Sequence, residues 1–289
     1  MSTPPPPAGM PDARSAAHAA TTTEATTAWW ATAVSDIEPG VIRLRGYPVE
    51  QLIGRTSFVD MIWLMLRGDL PTAAQADLLE LALVAAVDHG PQAPSIAAAR
   101  MAATCGVGLN SALATGVNLL GDVHGGAGQQ CLALLHDLAG RTDVPLEEAV
   151  AQALADHRAR GAHVPGFGHR FHPVDPRRDP LVDAVRTAAE DGAVAGRHLA
   201  AALEVERQLS QGRARPVPMN IDGATAIVYG ELGFVPELSR GLFCLSRSVG
   251  ILAHAWEERS AGGRIKGPLP PPLLADYTGA TPREVPDQG

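Results

Sequence analysis

Aromatic residues make up only 4% of this 289-residue chain, so any core it builds is aliphatic. Hydrophobic residues reach 46%, enough for a substantial interior and too many for a chain disordered throughout. Cysteine is scarce. Cys105, Cys131 and Cys244 are widely spaced with no CxxC pair, which gives no zinc-site spacing, fits a reducing compartment and reads them as small buried apolar residues. No apolar run reaches about 18 residues, which argues against a helical membrane span. Basic charge is not in excess either. The net charge of −8 argues against a nucleic-acid partner, although the local pair Arg177-Arg178 can still meet a phosphate or carboxylate. Met1 to Thr27 is rich in Pro, Ala and Thr and has no basic stretch followed by an apolar one. A disordered tail over 1–27 without a secretory signal is therefore expected, and with it a cytoplasmic location.

What is present is helix-forming sequence. Alanine, leucine and valine recur in long periodic runs, and both propensity and pattern point to an all-α fold. The exception is Val34 to Pro48, where Ile42, Leu44 and Tyr47 alternate with Arg43 and Arg45 and a small hairpin is expected. Thr56 to Arg67 reads as a helix with Phe58, Ile62, Met65 and Leu66 on one face, stopped by Gly68. Thr72 and Gln75 fit a capping box that opens a helix to about Asp88. Further helices are expected over Ser95–Cys105, Ser111–Leu120, Gly126–Leu138, Pro145–Arg160 with Asp143 as cap, Asp179–Glu190, Gly196–Leu209, about 222–232 and about 236–258. The segment from Lys266 to Gly289 holds six prolines and is not helical.

Five places carry chemistry-bearing side chains, most with a bland reading beside the functional one. His89 follows a helix end in Asp-His-Gly-Pro, where a histidine also suits the helix dipole. His124 stands in Val-His-Gly-Gly just before a helix; its cation is disfavoured there, so it is a candidate neutral hydrogen-bond donor or a turn residue. The loop from Gly161 to Asp179, GAHVPGFGHRFHPVDPRRD, is too rich in Gly and Pro for a helix and contains His163, His169, His172 and Arg177. Asp222 in Asn-Ile-Asp-Gly is a candidate carboxylate base or a helix cap. Arg247 among Phe243, Leu245, Val249, Ile251 and Leu252 is costly unless a bound anion or an internal salt bridge satisfies it. Together these groups suit the formation and quenching of an enolate: a carboxylate, a neutral donor for a thioester oxygen, and a second imidazole for a carbonyl.

At this point the chain resembles the citrate synthase family. The resemblance runs through GVIRLRGYPVEQLIGRTSFVDMIWLMLRGDLPT, DHGPQAPS, GDVHGGAGQQ, VPGFGHRFHPVDPR, MNIDGATA and LSRSVGILAHAWEE, in the family's order from Gly40 to Glu258. It implies a citrate synthase-like helical fold with a trimmed large domain and a small domain. Residues 28–160 and 223–265 would be mainly large domain, 161–222 mainly small domain, and 266–289 a Pro-rich tail. By the same resemblance His124, His169 and Asp222 are catalytic, and His89, Arg177 and Arg247 bind the dicarboxylate. Val164, Pro165, Gly166, Phe167 and Gly168 receive the adenine of coenzyme A. Coenzyme A enters as part of the substrate; no metal or prosthetic group is expected, and a homodimer is.

Two departures refine this. Only Ala73 to Asp88 separates GDLPT from the histidine block, where citrate synthases carry a longer helical section, and Asp-His-Gly-Pro stands where they have Asp-His-Glu. Both features resemble citryl-CoA lyases and the lyase domain of ATP-citrate lyase. Gly267 occupies the place of an arginine before a proline, with Arg264 and Lys266 nearby as substitutes. The expected activity is cleavage of citryl-CoA to acetyl-CoA and oxaloacetate. The alternatives are a citrate or 2-methylcitrate synthase, and a non-catalytic binding paralogue.

Overall fold

The computed structural model describes residues 25–168, 174–270 and 272–285. It divides into two compact units, 1–76 and 77–289. In the first, strands β1 (Ser35–Glu38), β2 (Val41–Leu44) and β3 (Tyr47–Pro48) form an antiparallel sheet in that order, so the expected hairpin is a three-stranded meander. The β2–β3 turn is Arg45-Gly46, both at positive φ, as a two-residue hairpin connection requires. Arg45 is a non-glycine residue in that region and is held there by its own side chain, whose Nε and Nη2 donate to the Met65 carbonyl at 3.1 and 2.6 Å.

Helices α1 (Val49–Leu52) and α2 (Phe58–Arg67) follow. Helix α2 opens with a capping box of Ser57 and Asp60 and ends at Gly68 in the left-handed region. Its buried side chains are Trp63 and Leu64, whereas Phe58, expected on the apolar face, is 80% exposed. A single helical face cannot be assigned from spacing alone when so much of the helix is apolar.

Helix α3 (Ala73–Ala86) begins in the first unit and continues in the second, with the expected Thr72–Gln75 box formed by reciprocal bonds of 2.9 and 3.3 Å. The second unit then contains α4 (Pro94–Thr104), α5 (Leu109–Val117), α6 (Ala127–Gly140), α7 (Leu146–Ala159), α8 (Arg178–Glu190), α9 (Arg197–Ser210), α10 (Ile221–Glu231) and α11 (Pro236–Ser260). The cap expected from Asp143 is absent; Pro145 takes the N-cap position of α7 without a side-chain bond. Among the described residues no helix is long and apolar enough to cross a membrane.

Two packing themes place the site. Helices α4, α5 and α11 meet through small residues, Ala99, Ala103, Ala112 and Ala255 around Ile96 and Ile251. Helix α10 is buried continuously from Gly223 to Gly230 and packs on α6, α8 and α9. A helix apolar on every side belongs in the middle of a bundle. Its N-terminus is thereby fixed from several directions.

Candidate active site

The N-terminus of α10 is capped by Asn220, whose Oδ1 accepts from the Asp222 and Gly223 amides at 2.9 and 3.3 Å. Asp222 is thus not the cap. It stands two residues later, and its carboxylate has no hydrogen-bond partner among the described residues. Burial pushes its pKa up; the charges of Arg177 and Arg247 oppose this and Asp175 reinforces it.

Around the same helix start, the 164–168 loop is tied down by backbone bonds. The Asn220 amide donates to Gly166 O at 3.0 Å, Gly168 N donates to Pro218 O at 2.7 Å, and Asn220 Nδ2 donates to Gly168 O at 2.7 Å. Gly166 has φ +83°, and a Cβ there would stand 2.6 Å from Cys131 Sγ and 2.9 Å from Gly223 Cα. Only glycine lets this loop reach the helix.

Asp175 completes this corner. Its side chain is buried and accepts from Arg177 Nε and Nη2, both at 2.9 Å, and from the Ile221 amide at 3.0 Å. Burial alone would raise this carboxyl, but the Arg177 contacts and the Ile221 amide outweigh it and bring it down to about 2. Asp-Pro-Arg offers Arg177 as the anion partner, and nothing in the sequence says that Asp175 bridges this arginine and a helix start 46 residues later.

A cavity of about 170 Å³ opens here, lined by His89, His124, Gly125, Asp222, Phe243 and Arg247 among others. His124 Nε2 accepts the Ser95 amide at 3.2 Å and lies 3.0 Å from Ser95 Oγ. The Ser95 N–H is one of the donors at the start of α4 that the helix itself leaves unused. Because Nε2 is an acceptor, the neutral ring carries its proton on Nδ1. Burial first, and the Arg247 charge second, push the His124 pKa down. The ring expected from sequence to be a neutral donor thus has Nε2 occupied by Ser95 and its cationic form disfavoured by burial and Arg247. Both glycines after it are required: Gly125 has φ +93° and faces Phe243 Cε1, and a Cβ on Gly126 would lie 2.4 Å from Asp122 O.

Arg247 is 5% exposed. Its Nε donates to Ala86 O at 3.0 Å and its guanidinium lies 4.9 Å from the Phe243 ring centre. Among the described residues it has no ion pair, so the salt-bridge alternative is absent. Burial pushes its pKa down, and the Asp88 and Asp222 charges push back. His89 lies beyond the helix end, in the turn after α3, and lines the cavity. Arg177 is not among the cavity-lining residues, and two of its nitrogens are engaged by Asp175. His169 and His172 lie outside the described residues.

A second cavity, about 200 Å³, has Val164 and Phe167 on its wall with Leu154, Leu209 and Val217, and the cationic or titratable Arg158, His163 and Arg213. His163, read as bland from sequence, therefore lines a cavity. Cys131 is buried as expected, with its thiol pushed up by burial and by Asp222, but Cys105 is exposed. Lys266 is held by its own chain, its Nζ 2.9 Å from both Glu258 carboxylate oxygens. Among the described residues no group of three or more His, Cys, Asp or Glu is placed to hold a metal ion.

Residues 23–77 and 73–268 match the model of the citrate synthase C-terminal domain. Citrate synthase of Haloferax volcanii is 30% identical over 195 residues, 67% of this chain and 49% of that protein. The chain spans about half the length of the curated relatives it matches. Among solved structures, citryl-CoA lyase from Hydrogenobacter thermophilus superposes with a TM-score of 0.79 at 31% identity, covering 89% of this chain and 97% of that one. ATP citrate lyase from Methanothrix soehngenii, solved with citrate and coenzyme A, shares the fold with a TM-score of 0.77 at 22% identity over 97% of this chain and 46% of that one. The order of motifs, the helical architecture and the matched residues together place this chain in the citrate synthase family.

Proposed function

We propose that the chain is an enzyme that cleaves citryl-CoA reversibly to acetyl-CoA and oxaloacetate through an enolate. The observation that carries this reading is Arg247: a buried guanidinium without an ion pair among the described residues, on a cavity it shares with the Nδ1–H tautomer of His124 and with Asp222, which is not the helix cap. Such a cation is compensated by a bound anion, and a substrate carboxylate is the natural one.

In the cleavage direction a base takes the proton of the substrate hydroxyl. His169 is proposed for this role on the resemblance. The carbon–carbon bond breaks, oxaloacetate leaves as the ketone, and the electron pair passes to the thioester oxygen, which His124 Nδ1–H stabilises. Asp222, held by its surroundings toward the protonated form, delivers a proton to the terminal carbon to give the acetyl methyl. Arg247 and His89 hold the carboxylates. Arg177, oriented by Asp175, adds positive charge near Asp222. The second cavity, with apolar walls and Arg158 and Arg213 beside the 164–168 loop, suits an adenine ring and a phosphate of coenzyme A.

The 31% identity and the TM-score of 0.79 over nearly the whole of a citryl-CoA lyase support lyase over synthase. The synthase reading is favoured by the names of the sequence relatives and adds thioester hydrolysis to the same steps. Incubation of the pure protein with citryl-CoA separates them. Oxaloacetate, read by a coupled dehydrogenase, supports the lyase; free coenzyme A released from acetyl-CoA plus oxaloacetate supports the synthase; neither product overturns both. We also infer, on the resemblance, the large and small parts 28–160 with 223–265 and 161–222, and a homodimer. The dimer is supported by Leu245, Val249, Leu252 and Trp256, spaced four, three and four residues apart along α11 and each at least 40% exposed.

A further inference from the structure

The turn that presents His89 is held from outside the cavity. Asp88 Oδ2 accepts the Gly90 amide at 3.0 Å, and Asp88 Oδ1 lies 3.2 Å from His254 Nε2. On the far side of that ring, Arg100 Nη1 lies 2.9 Å from His254 Nδ1. A guanidinium can only donate, so Nδ1 is the acceptor and the ring proton sits on Nε2, facing Asp88. Arg100 is fixed in turn by Glu257 at 2.5 Å and Glu258 at 2.6 Å, and Lys266 closes on Glu258. Glu257 is 3.8 Å from His254 Nδ1, beyond hydrogen-bond reach.

The same face of α11 grips the end of α3 along its length. The Ser246 hydroxyl donates to Leu83 O, and Arg247 Nε donates to Ala86 O. Gly250 leaves room for the turn itself, since a Cβ there would stand 2.4 Å from Val87 O and 2.9 Å from Asp88 Oδ1. His254 is the last contact of this series, one helical turn beyond Gly250. The Asp88 carboxyl reflects the arrangement: burial would raise it, yet the Gly90 amide and His254 hold it below the usual carboxylate range.

We propose that His254 is a positioning residue for the 2-oxo acid site. Arg100 fixes its tautomer, its Nε2–H holds Asp88, and Asp88 closes the turn that sets His89 against the cavity. The proposal rests on the reading of His89 as a ligand of the oxo acid. Two variants test it, His254→Ala and His254→Gln, the glutamine amide nitrogen supplying a donor at similar reach.

The first measurement needs no activity. Exchange of the Gly90 amide proton should accelerate about tenfold in His254→Ala, a change of about 1.4 kcal/mol, and return toward the parent rate in His254→Gln. The second is kinetic. In His254→Ala the KM for oxaloacetate in citryl-CoA formation should rise about tenfold while that for acetyl-CoA holds. On a His89→Ala background the same substitution should add nothing further. Unchanged Gly90 exchange overturns the proposal. So does a parallel rise in both KM values, or an additive effect with His89→Ala. A parent protein that binds no oxaloacetate by calorimetry overturns the ligand reading instead, and the exchange measurement tells the two failures apart.

Discussion

Asp222 combines two costs that a purely structural carboxylate would avoid: it is crowded by protein and, among the described residues, it has no hydrogen-bond donor. A raised folded pKa means that the folded state favours the protonated form, so ionisation destabilises the protein as pH rises above the unfolded value. Asp222→Asn should therefore gain thermal stability relative to the parent as pH goes from acid to neutral, read by melting curves across that range. The same variant should lose deuterium exchange into the acetyl-CoA methyl by at least about a hundredfold, as expected when a general base is removed. Asp175 has the opposite sign. Its carboxyl, lowered to about 2, contributes stability above the unfolded value near 3.8 that is lost as pH falls through 2. Asp175→Asn should cost about 1–2 kcal/mol at neutral pH, read by denaturant titration.

At the level of elements, the helix ends explain the arrangement. Glu231, at the end of α10, is almost fully buried and caps a different helix: its carboxylate accepts the Gly196, His198 and Leu199 amides at 2.8, 2.7 and 3.1 Å at the start of α9. Burial would raise its pKa, but His198 and these amides hold it down. Glu231→Ala leaves three donors without their acceptor and should destabilise the protein by about 3 kcal/mol. The corresponding fall in melting temperature is roughly 6–12 °C, and Glu231→Gln should lose less. No sequence rule for capping finds this pair, because those rules look for the cap beside its own helix. Helix α10 shows the complementary case, in which Asn220 directly before Ile221 is legible as a cap once Asp222 is released from that role.

For the whole molecule, the exposed stripe on α11 is the feature with a consequence in solution. If a second copy covers it, Val249→Arg with Leu252→Glu should shift the assembly to a lighter species in sedimentation velocity while the melting temperature of the monomer fold is kept. A parent chain that already sediments as a monomer sinks the dimer reading.

The sequence by itself determined the helical class, most helix positions to within a few residues, and the set of side chains that could carry the chemistry. Helical periodicity, Gly and Pro stops, and the Thr72–Gln75 box are local signals, and local signals survive without a fold. It also carried the resemblance, because ordered motifs such as VHGGA and NIDG are written in the chain. Only the tertiary structure decided which bland readings fail. Asp222 is no cap because Asn220 takes the amides. Among the described residues Arg247 has no ion pair, and across α3 it meets the Ala86 carbonyl. His124 has its tautomer set by an amide 29 residues away, Arg177 is held by Asp175, and His254 meets Asp88 beside His89. Several of these contacts join residues distant in sequence, Ser95 with His124, Ala86 with Arg247 and Asp88 with His254, and the burial that shifts the pKa of Asp222, His124 and Arg247 exists only once the helices have packed.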